Sequence, residues 1–169
     1  MRYKTLILGG ARSGKTARAL ALAATPPHAY LATAQPLDGE MDARIAAHRA
    51  ERGPSWAVIE EPLEVADALR AIEDESVTIL VDCLTLWLSN LMHDERDVEA
   101  ETTRLIAALG AVPNRVILVS NEIGLGLVPM EKLSRDFRDA QGRLNQRIAA
   151  AADHVEFVAA GLPLTLKGQ

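Results

Sequence analysis

The chain has 169 residues, of which 49% are hydrophobic and 24% charged, and a formal net charge of −5. This is the make-up of one globular domain over residues 1–169 with room for a sizeable core, and it excludes a disordered segment. The acidic balance speaks against nucleic acid as the main partner, because phosphate backbones select basic surfaces, and a single cysteine, Cys83, excludes an internal disulfide framework.

The first element is a buried strand, Leu6-Ile7-Leu8. It runs into Gly9-Gly10-Ala11-Arg12-Ser13-Gly14-Lys15-Thr16 and then into an alanine-rich helical segment, Ala17 to Ala24. A G-x-x-x-x-G-K-T loop between a strand and a helix is built to hold a polyphosphate. Its glycines let backbone N–H groups point inward. Lys15 supplies a cation to the outer phosphates, Thr16 a hydroxyl for Mg2+, and the helix N-terminus a partial positive charge. Met1-Arg2-Tyr3-Lys4 followed by so short an apolar run does not make a signal peptide, and no uninterrupted apolar run approaches membrane-spanning length. A cytoplasmic protein with no membrane span is the expectation.

Further along, short apolar runs predict strands at Ala29 to Ala32, Trp56 to Glu60, Val77 to Asp82, Arg115 to Ser120 and Val155 to Ala159. Runs that are apolar rather than alternating suit a sheet covered on both faces. Helical spacing lies between them, over Glu40 to Arg52, Leu63 to Ile72, Val98 to Leu109 and Glu131 to Ala152, with Gly142 a weak point in the last. Leu162 to Lys167 reads as an edge strand or a tail. Strands alternating with helices predict an α/β fold with a mostly parallel sheet.

Four later stretches carry chemistry. Arg44, His48 and Arg52 share one face of the Glu40–Arg52 helix. His48 is either a half-buried histidine on a charged helix or, with arginines holding phosphate oxygens, a neutral ring able to attack phosphorus. Asp82 ends an apolar strand as does the acidic residue that supports Mg2+ in phosphate-loop enzymes, although a carboxylate there also caps. Thr85 either faces a nucleotide or has a core or capping role. Val119 to Pro129 leaves a strand through Ser120-Asn121-Glu122 into a glycine loop, at the edge where α/β folds bind ligands. Arg135, Arg138 and Arg143 either form a salt-bridged helix face or line the path of an anionic substrate.

Together these motifs resemble the bifunctional adenosylcobinamide kinase / adenosylcobinamide-phosphate guanylyltransferase family of cobalamin biosynthesis. The likeness runs from G-G-A-R-S-G-K-T (Gly9 to Thr16) through A-T-A-Q (Ala32 to Gln35), D-x-E-M-x-x-R-I-x-x-H-R (Asp38 to Arg49) and Asp82. It continues to S-N-E-I-G-x-G-x-V-P (Ser120 to Pro129), R-D-F-R-D-x-x-G-R-x-N-Q (Arg135 to Gln146) and A-A-A-D (Ala150 to Asp153). It covers nearly the whole chain in order. The resemblance implies a phosphate-loop NTPase fold of the RecA-like kind and two reactions. ATP or GTP phosphorylates the aminopropanol hydroxyl of adenosylcobinamide. GTP then gives GMP to a histidine, here His48, and from it to adenosylcobinamide phosphate. It further implies nucleotide contacts at Gly9 to Thr16, at Thr33, Ala34 and Gln35, at Arg49, Ala50, Glu51 and Arg52, and at Glu60 and Asp82. Lys15 joins His48 in catalysis, and Thr16 and Asp82 are the Mg2+ candidates. Assembly as a homotrimer is implied as well. Some members carry a second histidine where this chain has Ala47, and others a glutamate at Asp82. Asp82 and Glu122 are both candidates for the base of the kinase step. The competing expectations are a phosphate-loop kinase of another small metabolite and a GTP-binding module. The latter calls for an N/T-K-x-D motif, which Asn121-Glu122-Ile123-Gly124 is not.

Overall fold

The computed structural model describes residues 3–35 and 56–168. Its elements in chain order are β1 (Lys4–Gly9), α1 (Lys15–Leu22), β2 (His28–Ala32), β3 (Trp56–Glu60), α2 (Val65–Arg70), β4 (Thr78–Asp82) and α3 (Leu84–His93). They are followed by α4 (Val98–Ala111), β5 (Val116–Asn121), α5 (Lys132–Ala151), β6 (His154–Ala159) and β7 (Leu162–Lys167). The strands form one seven-stranded sheet in the order β3-β2-β4-β5-β1-β6-β7. All pairings are parallel except the β6–β7 hairpin, which is antiparallel. Leu162 to Lys167 is therefore an edge strand.

Successive strand residues point to opposite faces, and here both faces are apolar. Leu6, Leu8, Leu31, Ile79, Val81, Val116 and Leu118 pack with the buried residues of α2, α3, α4 and α5, Trp87 among them. Their alternates Ile7, Tyr30, Leu80, Ile117 and Val119 pack on the other face with Ala19 and Ala23 beside α1. The mostly parallel sheet expected from the unalternating strands is what forms.

Helix α3 is the element the sequence did not announce. Its first turn carries no acid, its apolar residues run nearly all the way round, and its core face is fixed by burial of Leu84, Trp87, Leu88 and Leu91. Gly142 does not interrupt α5, which is continuous from Lys132 to Ala151. A mid-helix glycine costs about 1 kcal/mol relative to alanine, which the packing of Ala140, Leu144 and Ile148 outweighs.

Beneath α1, Arg18 donates from both Nε and Nη2 to the two carboxylate oxygens of Glu156 at 2.7 Å, and His154 Nε2 lies 3.0 Å from Glu156 Oε1. Glu156 is 3% exposed. The Arg18 fork, working against burial and helped by His154, holds its carboxyl at about 2. A depressed carboxylate stabilises the fold fully above its unfolded value, and loses that stabilisation as pH falls toward its folded one. Glu156→Gln is expected to cost about 2 kcal/mol at pH 7. Urea midpoints of wild type and variant should converge as pH is lowered from about 5 toward about 2.

Candidate active site

In a parallel sheet every strand ends on the same edge, and the register brings the ends of β1 to β5 together. Ala32 is paired with both Glu60 and Asp82, Asp82 with Val119, and Gly9 with Asn121 and Val158. The Gly9–Thr16 loop leaves β1 at the centre of this edge. At Gly9 a Cβ would fall 2.4 Å from the Val158 carbonyl oxygen and 2.6 Å from Ser13 Oγ, so only glycine fits. At Gly14 the backbone adopts φ 98°, the left-handed turn that starts α1. Outside the loop, Gly161 N donates to the Ser13 carbonyl at 2.8 Å. Ser13 Oγ is buried without a hydrogen-bond partner among the described residues, an atom a phosphate oxygen would satisfy.

Lys15 folds back over the loop, its Nζ donating to the Gly10 carbonyl at 2.6 Å. Burial pulls its pKa below the ordinary lysine value, opposed by Cys83 and Asp82. Burial also pushes the Cys83 thiol up to about 12, so at neutral pH that thiol is uncharged. Asp82 Oδ2 lies 3.4 Å from Thr16 Oγ1 and accepts from Tyr30 Oη at 2.7 Å. Thr16 and Asp82 thus offer hard oxygen donors side by side. Among the described residues no three His, Cys, Asp or Glu side chains converge on a metal position. One hydroxyl and one carboxylate, completed by phosphate oxygens and water, is nonetheless the donor set Mg2+ favours.

The other sequence candidates divide. Ala34 and Gln35 are half-buried beyond β2, and Glu60 is exposed at the end of β3, all on this edge. Thr33 is fully buried. Its hydroxyl donates to the Cys83 carbonyl at 2.7 Å and accepts from Cys83 N at 2.9 Å, so it joins β2 to the start of α3. Asn90 extends this join, its Nδ2 donating to the carbonyls of Thr33 and Pro62. Thr85 has a bracing role, its Oγ1 accepting from Asn121 N at 2.8 Å. Arg44, His48, Arg49, Ala50, Glu51 and Arg52 lie outside the described residues.

The Ser120–Pro129 loop is braced from α5. Ser120 Oγ donates to Asn145 Oδ1 at 2.7 Å, Gln141 Nε2 donates to both, and Asn145 Nδ2 donates to the Asn121 carbonyl at 3.0 Å. Glu122 N in turn donates to the Gly9 carbonyl at 2.9 Å. Arg135 and Arg138 donate to loop carbonyls, Arg135 to Pro129 and Met130, Arg138 to Gly124 and Gly126. Arg143 faces Glu99 at 3.7 Å and belongs to a salt-bridged surface. The helix motif therefore acts on the loop, an outcome between a solvated face and a substrate path. Asn145 stands in the R-x-N-Q motif, but no motif gave it, Gln141 or Tyr30 these bracing roles by name. For Asn145 and Gln141 a signal was there, since amides four apart on one helix face can share partners.

A protein-family model described as cobinamide kinase / cobinamide phosphate guanyltransferase matches residues 5–166. The chain belongs to this family. With it, the chain is a phosphate-loop kinase and transferase of cobalamin biosynthesis. It is 51% identical over 170 residues to the bifunctional adenosylcobalamin biosynthesis protein CobP of Pseudomonas aeruginosa, covering 98% of each chain. It is 38% identical over 178 residues to the bifunctional adenosylcobalamin biosynthesis protein CobU of Escherichia coli K12, covering 96% of this chain and 98% of that one. Among solved structures, a protein from Pyrococcus horikoshii OT3 superposes with a TM-score of 0.60 at 9% identity, over 99% of this chain and 87% of that one. That likeness speaks to the fold alone.

Replacing Asn145 with alanine removes the acceptor of the Ser120 hydroxyl and the side-chain donor to the Asn121 carbonyl. An expected loss of about 2 kcal/mol in stability follows. Chemical denaturation measures that loss, and nucleotide titration the accompanying weaker binding at the loop that β5 supports.

Proposed function

We propose that the chain carries out both reactions of its family in turn, acting as one unit over its whole length. It phosphorylates the aminopropanol hydroxyl of adenosylcobinamide with ATP or GTP, then transfers GMP from GTP to adenosylcobinamide phosphate. The observation that carries this reading is the meeting of Lys15, Thr16 and Asp82 at one sheet edge, in a chain matched by the family model over residues 5–166.

In the first reaction the loop from Gly9 to Thr16 holds the triphosphate, and the substrate hydroxyl is placed in line with the γ-phosphate. Such chemistry is mostly positioning and electrostatics. In the second, a ring nitrogen of His48 attacks the α-phosphorus of GTP. A P–N bond forms, the P–O bond to the β-phosphate breaks, and pyrophosphate leaves. A phosphate oxygen of adenosylcobinamide phosphate then attacks the same phosphorus, breaking the P–N bond and returning the histidine. The product is adenosylcobinamide-GDP.

Lys15 counters the charge that grows on the outer phosphates in either reaction, and to do so it must exchange its Gly10 carbonyl for phosphate oxygens. Mg2+, held through Thr16 and Asp82 together with the phosphates, would neutralise part of the same charge. Arg49 and Arg52, following His48, are the natural partners of the α-phosphate, with Ala50 and Glu51 between them. Ala34, Gln35 and Glu60 border the nucleotide on the β2–β3 side, and Thr33 supports them from within.

Incubation with GTP and Mg2+ followed by peptide mass spectrometry should find GMP on the peptide holding His48. The adduct should be acid-labile and absent in His48→Ala. An unmodified wild type under turnover conditions would favour a kinase of another small metabolite. Lys15→Ala is expected to lose both activities, by at least about 100-fold. Guanylylation left intact in that variant would mean two separate phosphate sites.

A homotrimer is part of the same proposal, in a cytoplasmic protein; no helix among the described residues is long and apolar enough to cross a membrane. Supporting it are Leu127 and Met130, each 97% exposed, near Leu125 and Val128 in the loop after β5, and the exposed leucines of edge strand β7. Apolar surface of this extent marks an interaction site. Light scattering on a Leu127→Glu/Met130→Glu variant should show a smaller species than the wild type if the loop is the contact.

A further inference from the structure

Tyr30 sits in the middle of β2, 3% exposed, on the α1 side of the sheet. Its register partners are Val58 in β3 and Leu80 in β4, while Ala32, two residues on, is paired with Asp82. Residues two apart in a strand share a face, and diagonal neighbours across a strand pair lie within reach of an aromatic side chain. The ring therefore runs along the sheet toward its edge, and Oη donates to Asp82 Oδ2 at 2.7 Å. The same carboxylate oxygen lies 3.4 Å from Thr16 Oγ1.

The phenol is itself held from behind. The Tyr30 ring meets Trp56 edge-on with centroids 6.1 Å apart, and Trp56 stacks on His28 at 4.3 Å. Sheet register and this aromatic row fix where the hydroxyl stands. Asp82, by contrast, is only half-buried at the end of its strand, where a short carboxylate is otherwise at liberty to turn toward solvent.

We propose that Tyr30 is a positioning residue, whose hydroxyl keeps the Asp82 carboxylate turned toward Thr16, ready to hold a nucleotide-bound divalent cation. This rests on the reading of Thr16 and Asp82 as the metal side of the nucleotide site. A hydroxyl that orients a ligating carboxylate acts on metal affinity and leaves the nucleotide's other contacts alone. A tyrosine that only fills space would affect stability and leave metal affinity as it was.

The test uses Mn2+ and the α,β-methylene analogue of GTP, which cannot lose pyrophosphate. Electron paramagnetic resonance of free Mn2+ gives the affinity of the protein–nucleotide complex for the ion, and calorimetry in EDTA gives nucleotide affinity without metal. Tyr30→Phe should weaken Mn2+ binding about tenfold while metal-free nucleotide binding is unchanged. Equal Mn2+ affinities in wild type and variant would overturn the proposal. In an Asp82→Ala background, Tyr30→Phe should have no further effect, and an additional tenfold loss there would overturn it too. A wild type whose bound nucleotide holds Mn2+ no more tightly than free nucleotide would instead overturn the metal reading itself, and this proposal with it. Should Tyr30→Phe fail to fold, Tyr30→Leu removes the hydroxyl while keeping an apolar filling, and the same comparison applies.

Discussion

Strand β1 is hydrogen-bonded on both sides, to β5 and to β6, as far as Gly9, and there the chain has to leave the sheet. The neighbouring strands leave it almost no room. The Val158 carbonyl stands where a side chain on residue 9 would be, and the Gly9 carbonyl already accepts from Glu122 N. A chain forced out through so narrow a gap turns sharply, and the turn becomes a loop of inward-facing backbone ending at a helix N-terminus. A loop that ends in this way at a helix N-terminus suits a polyanion, because backbone N–H groups and the helix dipole there favour negative charge.

The surroundings of the loop are arranged in layers of support. Thr33 and Asn90 hold the end of β2 to α3, Thr85 holds α3 to β5, and Asn145 with Gln141 holds β5 to α5. Thr33, Asn90, Thr85 and Asn145 each bond backbone near a strand end, and Gln141 holds the Ser120 and Asn145 side chains. Such bonds are individually modest, but a broken one leaves an unsatisfied buried group, so the edge resists deformation. Such an edge holds Thr16 and Asp82 side by side before any ligand arrives, the kind of preorganisation that electrostatic stabilisation of phosphoryl transfer demands.

The two arginines of the α5 motif illustrate how position changes meaning. In the sequence, Arg135 and Arg138 are cations near a glycine loop, by default a salt-bridged face and otherwise the lining of an anion's path. In the fold they donate to carbonyls of that loop, at Pro129, Met130, Gly124 and Gly126. Their role is to shape the loop whose apolar residues Leu125, Leu127 and Val128 remain exposed. Helix α3 makes the complementary point. Its apolar residues surround the helix too evenly for a period to be read, so only burial against the sheet fixes its existence and its face.

By itself the sequence determined the phosphate loop, the strands and most of the helices in their order, and the family, because local spacing and motif identity are properties of neighbouring residues. Glycines, a lysine and a threonine at fixed offsets after an apolar strand leave few other structures open. Which residues meet across the sheet was decided only by tertiary structure. Tyr30 and Asp82 are 52 positions apart, and Thr16 and Asp82 are 66 apart. Their convergence depends on strand order and register, which arise from how all the apolar faces pack at once. Thr33 shows the same limit from the other side: a polar residue in a family motif at the site's edge, whose hydroxyl the fold turns inward to hold Cys83.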